Sequence, residues 1–231
     1  MTEVPKIVHR IWIGPKYPPC YEDWWATWAD QYPGWETITW SDTLPGARDP
    51  MDVLSKDPEW EKAYFAHSRP VVRSDLLKLI VMYAFGGILT DCDQEARKPL
   101  SPILDQIGSL VLLGPLYAYE STAPASSFAA AVPRSTFFSL ALADALRVLM
   151  IPNRRIAPAR DTGPGAFRRA LRRDPGSALV WQDPDELIVG CGGFTHRQLG
   201  EKGRHTGCYS TLREDVDLSK AYVVHHASAK W

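Results

Sequence analysis

Along the chain, short apolar runs with β-type patterning take turns with runs of helical spacing. Ile7 to Gly14 reads as a buried first strand that ends in a Gly-Pro turn. Glu22 to Tyr32 has helical spacing, with Trp24, Trp25 and Trp28 on one side, and closes before Pro33-Gly34. Trp35 to Trp40 alternates and predicts a second strand. Pro70 suits the first turn of a long helix to about Phe85, with Val72, Leu76, Leu79, Ile80 and Tyr83 as a core-facing stripe. Gly86-Gly87 stops that helix and starts a strand leading to Asp91. Further strands are predicted at Ser109 to Leu116, Val180-Trp181, Leu187 to Val189 and Ala221 to His226. Further helices are predicted at Phe137 to Met150 and Gly165 to Arg173. Asn153 to Pro164 is a basic, Pro-rich loop, and Arg197 to Arg213 a polar, Gly-rich one. Strands alternating with helices predict an α/β fold with a largely parallel sheet, whose ligands bind beyond the carboxyl ends of the strands.

Composition narrows this picture mainly by exclusion. At 231 residues the chain fits one domain with a sizeable core, and 45% hydrophobic with 23% charged residues is ordinary for a globular protein. Lys plus Arg (26) nearly balances Asp plus Glu (27), so nucleic-acid binding is not indicated. No run approaches the roughly 20 apolar residues of a membrane span. The N-terminal apolar run is broken by His9 and Arg10 and does not resemble a signal peptide. Cys20, Cys92, Cys191 and Cys208 show no CxxC spacing, so neither a zinc site nor a disulfide framework is expected, and a reduced, cytoplasmic protein is. Seven tryptophans, from Trp12 to Trp60, crowd the first 60 residues and read chiefly as packing.

The chemistry concentrates at Gly86-Gly87-Ile88-Leu89-Thr90-Asp91-Cys92-Asp93. Residues i and i+2 of a strand point the same way, so Asp91 and Asp93 are expected to project together at its carboxyl end. Paired carboxylates suit a hard divalent cation that also takes substrate phosphates. Cys92 then alternates away as a small buried residue. Upstream, Arg73-Ser74-Asp75-Leu76-Leu77-Lys78 places Asp75 and Lys78 one helical turn apart. At the terminus, His225 and His226 face opposite sides of a strand, so at most one is expected to reach a metal. The arginines at 154, 155, 160, 168, 169, 172 and 173 form a local basic face, read as solvated surface. His67, His196 and His205 carry no assignment.

Val4-Pro5-Lys6-Ile7-Val8-His9-Arg10-Ile11-Trp12, the Asp75 helix, the Gly-Gly to Asp93 block, Thr162-Gly163-Pro164 and His225-His226-Ala227-Ser228-Ala229-Lys230-Trp231 occur in the order of a known family. Together they resemble the DXD-containing glycosyltransferases of family 32 and, more distantly, the catalytic domains of clostridial glucosylating toxins. The resemblance implies a GT-A type, Rossmann-like fold over residues 1–231 as a single domain. Residues 1–100 would mainly bind the nucleotide sugar; 101–231 would form the acceptor side and a terminal metal- and phosphate-binding strand. It implies a nucleotide-sugar donor (UDP- or GDP-linked), Mn²⁺ or Mg²⁺, retention at the anomeric carbon, and a glycan, protein or small-molecule acceptor. Carried over, Trp12 stacks on the donor base with Ile13 beside it, and Asp75 holds the donor sugar. Asp91 serves the ribose and sugar side, and Asp93 the metal, with Asp91, His225, His226 and Ser228 as further candidate ligands. Arg73, Lys78 and Trp231 join the donor site; Lys230 is an alternative contact for the diphosphate and a candidate catalytic residue, by similarity to other retaining transferases with a terminal His and Lys. Two positions depart from the family pattern: Lys78 stands where the helix carries Arg, and Lys230 where the terminus carries Ser. The competing readings are a haloacid-dehalogenase-like phosphatase, with Asp91 as nucleophile, and a catalytically silent nucleotide-sugar or glycan-binding protein.

Overall fold

The computed structural model describes residues 3–115, 124–181, 187–189 and 219–226. In chain order the elements are β1 (Ile7–Trp12), α1 (Tyr21–Gln31), β2 (Glu36–Ser41), α2 (Met51–Leu54), α3 (Pro58–Phe65), α4 (Pro70–Phe85), β3 (Gly87–Thr90) and β4 (Gln94–Ala96). They continue as α5 (Ser101–Ile107), β5 (Val111–Pro115), β6 (Pro124–Ala131), α6 (Thr136–Leu149), α7 (Pro158–Asp161), α8 (Pro164–Arg173), β7 (Ala178–Val180), β8 (Leu187–Val189) and β9 (Val223–His225). Six strands form one sheet in the order β2-β1-β3-β6-β5-β7, in which β6 alone runs against the others. A second sheet, β4-β9-β8, lies outside it.

Alternation along the strands divides the core into two layers. Ile11, Leu89, Ala129, Ala131 and Leu113 face α4, α6 and α8, whose Leu76, Phe138 and Phe167 belong to the same cluster. Val8, Ile88, Leu112, Phe128 and Ala130 face the other way, onto Trp28 of α1, Tyr32 at its end and Leu104 of α5. The fold is therefore α/β with helices on both faces of a mostly parallel sheet, as the alternation predicts.

The structure corrects several local expectations. The closing strand does not join the central sheet; it pairs with β4, setting Gln94 opposite His225. β6, which no sequence pattern predicts, fills the middle of the sheet with all eight residues buried. α4 shows no one-sided stripe, because every residue from Ser74 to Met82 is buried between the sheet and neighbouring helices. Ser74, Asp75 and Lys78 are thus polar residues in a core helix. Cys92 is a free buried thiol, but Cys20 is disulfide-bonded, contrary to the expectation of unpaired cysteines.

Two glycines allow β3 to enter beside β1. Gly86 and Gly87 have φ of +64° and +88°. A Cβ on Gly87 would stand 2.5 Å from the Ile7 carbonyl oxygen, and one on Gly86 2.6 Å from that of Ala131. His9 locks this junction. Trp40 Nε1–H donates to its Nδ1 at 3.2 Å, which leaves Nε2–H to donate to the Gly86 carbonyl at 3.1 Å. Burial holds the imidazole neutral, with its pKa lowered to about 4.

Candidate active site

β3 ends at Thr90, so Asp91, Cys92 and Asp93 lie in the turn between β3 and β4 rather than on the strand. The two carboxylates converge through that turn, not through strand alternation, which corrects the geometric reason for expecting them together. Hydrogen bonds fix the turn from several sides. Asp91 N–H donates to the Ser127 carbonyl at 2.9 Å, and Gln94 N–H donates to the Asp91 carbonyl at 3.1 Å. Gln94 Oε1 accepts from the Thr90 hydroxyl at 2.7 Å. Cys92 Sγ–H donates to the Ile11 carbonyl at 3.4 Å, tying the turn to β1. Burial pushes that thiol up to about 12 and leaves it a packing residue.

Pairing of β9 with β4 then delivers His225. Its Nε2 lies 3.2 Å from Asp93 Oδ1, and one ligand atom from each of Asp91, Asp93 and His225 falls within 4.8 Å of the others. Burial opposes a charge on His225, but Asp93 and Asp91 more than offset it and raise its pKa. Behind the turn, Lys78 Nζ donates to Asp91 Oδ1 at 2.5 Å. The ammonium is buried, which disfavours its charge, yet Asp91 and Asp75 together hold its pKa above the ordinary lysine value. Asp75 completes the group; desolvation lifts it to about 6, against the opposing pull of Lys78 and a hydrogen bond from Thr162. Lys78 and Asp75 are buried and Asp91 largely so; such a charged group is costly to build, and a cluster of this kind points to a functional site.

The remaining sequence candidates divide. Trp12 is buried beside this turn, in one cluster with Tyr21 and Cys92. Its indole N–H donates to the Gly14 carbonyl at 2.8 Å, and Tyr17 meets its ring edge-on at 5.3 Å. Ile13 is buried in the main core. Arg73 is turned elsewhere: its Nε donates to the His67 carbonyl at 2.7 Å and its guanidinium lies over the Tyr64 ring, so it braces the segment before α4. His226 stacks on Trp24 at 4.0 Å and sits 3.7 Å from Glu95 Oε2, on the other side of the strand from His225. Ser228, Lys230 and Trp231 lie outside the described residues, as do His196 and His205. His67 is not in the group; its ring pairs with the Leu149 carbonyl.

The basic face is largely exposed, as expected, but part of it is tied to buried carboxylates. Arg154 and Arg160 both bind the buried Asp161, while Arg147, Arg169 and Arg173 surround the buried Asp144. Those charges fasten α6, α7 and α8 together. Sequence reasoning missed Gln94, Ser127 and Thr162, whose partners lie at turns or far along the chain; only the Thr-Gly-Pro block pointed towards one of them.

Residues 21–110 match the family described as "Glycosyltransferase sugar-binding region containing DXD motif". That stretch, less than half of the chain, is similar to the DXD-containing glycosyltransferases. The matched stretch contains Asp91-Cys92-Asp93, the turn that gathers Lys78 and His225. Among curated relatives, inositol phosphoceramide mannosyltransferase 1 of Schizosaccharomyces pombe is 25% identical over 111 residues, covering 46% of this chain and 33% of that protein. Inositol phosphoceramide mannosyltransferase 2 of the same yeast is 28% identical over 102 residues, covering 44% and 28%. The chain therefore spans about a third of these relatives. Of solved structures, the PaToxG glycosyltransferase superimposes with a TM-score of 0.59 at 19% identity, covering 76% of this chain and 72% of that one. The UDP-bound glycosyltransferase domain from the YGT toxin gives 0.56 at 9% identity, covering 79% and 80%. At those identities the likeness concerns the fold, which is that of the GT-A glycosyltransferases. A match to a sugar-transfer family over this stretch counts against the phosphatase reading.

Proposed function

We propose that the protein transfers a sugar, with retention, from a UDP- or GDP-linked donor to a glycan, protein or small-molecule acceptor, with a divalent cation at Asp91, Asp93 and His225. The observation that carries this is the convergence of those three ligand atoms within 4.8 Å, at the carboxyl end of a central strand. The donor set fits: two carboxylates and one imidazole suit Mn²⁺, and the carboxylates alone suit Mg²⁺. When bound, the cation would neutralise charge on the departing diphosphate.

The chain's own residues supply the rest. Lys78 holds Asp91 in place and offsets the charge of Asp75, so three carboxylates coexist in a buried site. Asp75 accepts a hydrogen bond from a donor-sugar hydroxyl. Trp12 forms the wall on the base side, together with Tyr17 and Tyr21. An acceptor hydroxyl oxygen bonds to the anomeric carbon as the bond from that carbon to the diphosphate oxygen breaks. The acceptor proton passes to the diphosphate on the same face, and the configuration is kept without a covalent enzyme adduct. Support for this course comes from Asp75 and Asp91, each already engaged by a hydrogen-bond donor rather than poised as a nucleophile. The yeast relatives' names make mannosyl transfer one donor choice to try.

Turnover without acceptor tests this reading. Incubation with UDP- and GDP-sugars should release free sugar and nucleoside diphosphate from one donor class in the presence of Mn²⁺, and a chelator should stop it. Binding of the donor with no release under any metal would favour the silent sugar-binding protein instead.

A further inference from the structure

Three elements meet at the carboxylate of Asp75. α4 presents it, the Thr162-Gly163 pair preceding α8 covers one edge, and Ser126 of β6 lies beside Gly163. Thr162 is fully buried, and its hydroxyl donates to Asp75 Oδ2 at 2.8 Å. The Gly163 N–H donates to the Pro158 carbonyl at 2.9 Å and, lying beside the Asp75 carboxylate, favours its charged form. Gly163 is the N-cap of α8 and has no side chain with which to accept from that helix's first turn. Asp75, from a different helix, supplies a negative charge at the positive end of the α8 dipole. A Cβ on Gly163 would stand 2.9 Å from Asp75 Oδ2, 3.1 Å from Oδ1 and 3.1 Å from Ser126 Oγ. A side chain at position 163 would therefore press on both carboxylate oxygens and shift them.

We propose that Thr162 and Gly163 are positioning residues for Asp75: they fix the plane of its carboxylate and engage Oδ2, so that Oδ1 is the oxygen offered to the donor sugar. The proposal rests on the reading of Asp75 as the donor-sugar acceptor. It gives the Thr-Gly-Pro block a task 87 residues away from the side chain it serves. It also explains how a carboxylate survives in this environment. Burial drives Asp75 towards its neutral form, while the Thr162 hydroxyl and Gly163 N–H favour the charged one. Among the described residues, the charged groups acting on it are Lys78 of its own helix, which favours ionisation, and Asp91 of the β3–β4 turn, which opposes it. With the Thr162 hydroxyl removed, the balance moves towards protonation, and a larger share of Asp75 is the neutral, weaker acceptor at a pH where the wild type is ionised.

The test compares Thr162→Val, Thr162→Ser and Gly163→Ala in the whole chain. The titration of Asp75 is followed by carbon NMR of aspartate-labelled protein, with the signal assigned by its loss in Asp75→Asn. Thr162→Val should move that titration upward by about one pH unit, the size of one hydrogen bond to a charged group. Thr162→Ser should leave it near the wild-type position. In turnover, Thr162→Val should lower kcat/KM for the donor by about tenfold, and move the acid limb of its pH profile in the same direction, with Ser restoring both. A wild-type titration in the Val variant, or equal defects in Val and Ser, overturns the proposal. Should the Val variant fail to fold, Gly163→Ala decides: its methyl group displaces the carboxylate, so an unmoved Asp75 titration overturns the proposal. Because the NMR readout needs no turnover, an inactive wild type with the expected titrations defeats the proposed function alone. An active wild type with unmoved titrations defeats this inference alone.

Discussion

Asp93→Asn is expected to lower sugar transfer by about three orders of magnitude while leaving the fold in place. The loss corresponds to about 4 kcal/mol of electrostatic stabilisation of the leaving diphosphate. Asp93 is the carboxylate that contacts His225, and its replacement leaves an amide with one weak ligand oxygen in a site built from two carboxylates and an imidazole. The substitution is isosteric, and β9 remains paired with β4 through the backbone, including the bond from His226 N–H to the Asp93 carbonyl at 2.9 Å. Melting should therefore shift by no more than about 4 °C. Activity within tenfold of wild type would remove Asp93 from the reaction.

Lys78→Met is expected to have the larger effect on stability. The ammonium is buried between Asp91 and Asp75, and its removal leaves two desolvated carboxylates without their cation. Breaking a buried pair from one side costs about 3–5 kcal/mol, which in a chain of this size lowers the melting temperature by roughly 10 °C or more. The double variant Lys78→Met with Asp91→Asn removes charge on both sides and should recover the larger part of that loss. Recovery of this kind measures the coupling between the two side chains directly. If the single variant melts within about 2 °C of wild type, or if the second change adds further loss, the pair does not hold the site together.

What the sequence disclosed follows from what each element must do. α4 was legible from Pro70 to Phe85 because proline can start a helix and Gly86, at positive φ, stops one. The acidic turn was legible because Gly86, Gly87 and two carboxylates in eight residues leave few alternatives. β6 was not legible: Pro-Ala-Ser-Ser-Phe-Ala-Ala-Ala is buried on both faces, so polarity never alternates, and its small side chains carry little strand propensity. The second sheet was legible in part: β8 and β9 read as strands, but β4 is only three residues long, and its pairing joins it to a segment about 130 residues later. The same limit hid the Thr162 hydroxyl bond to Asp75, a contact across 87 positions that local pattern does not encode. The terminal histidines fall between these cases. Strand alternation correctly separated them, but the pairing with β4 decided that His225 faces Asp93 and His226 faces Trp24 and Glu95. Likewise the arginine-rich surface looked free in sequence because its partners, Asp144 and Asp161, are single buried residues without a motif around them.

Calorimetric titration of UDP and GDP into the protein, with Mn²⁺ and again with a chelator, bears most directly on the site as a whole. One of the two nucleotides is expected to bind when Mn²⁺ is present, and this binding should disappear with the chelator and in Asp93→Asn. Equal binding with and without metal, or binding that survives in Asp93→Asn, would contradict a metal–diphosphate site at Asp91, Asp93 and His225.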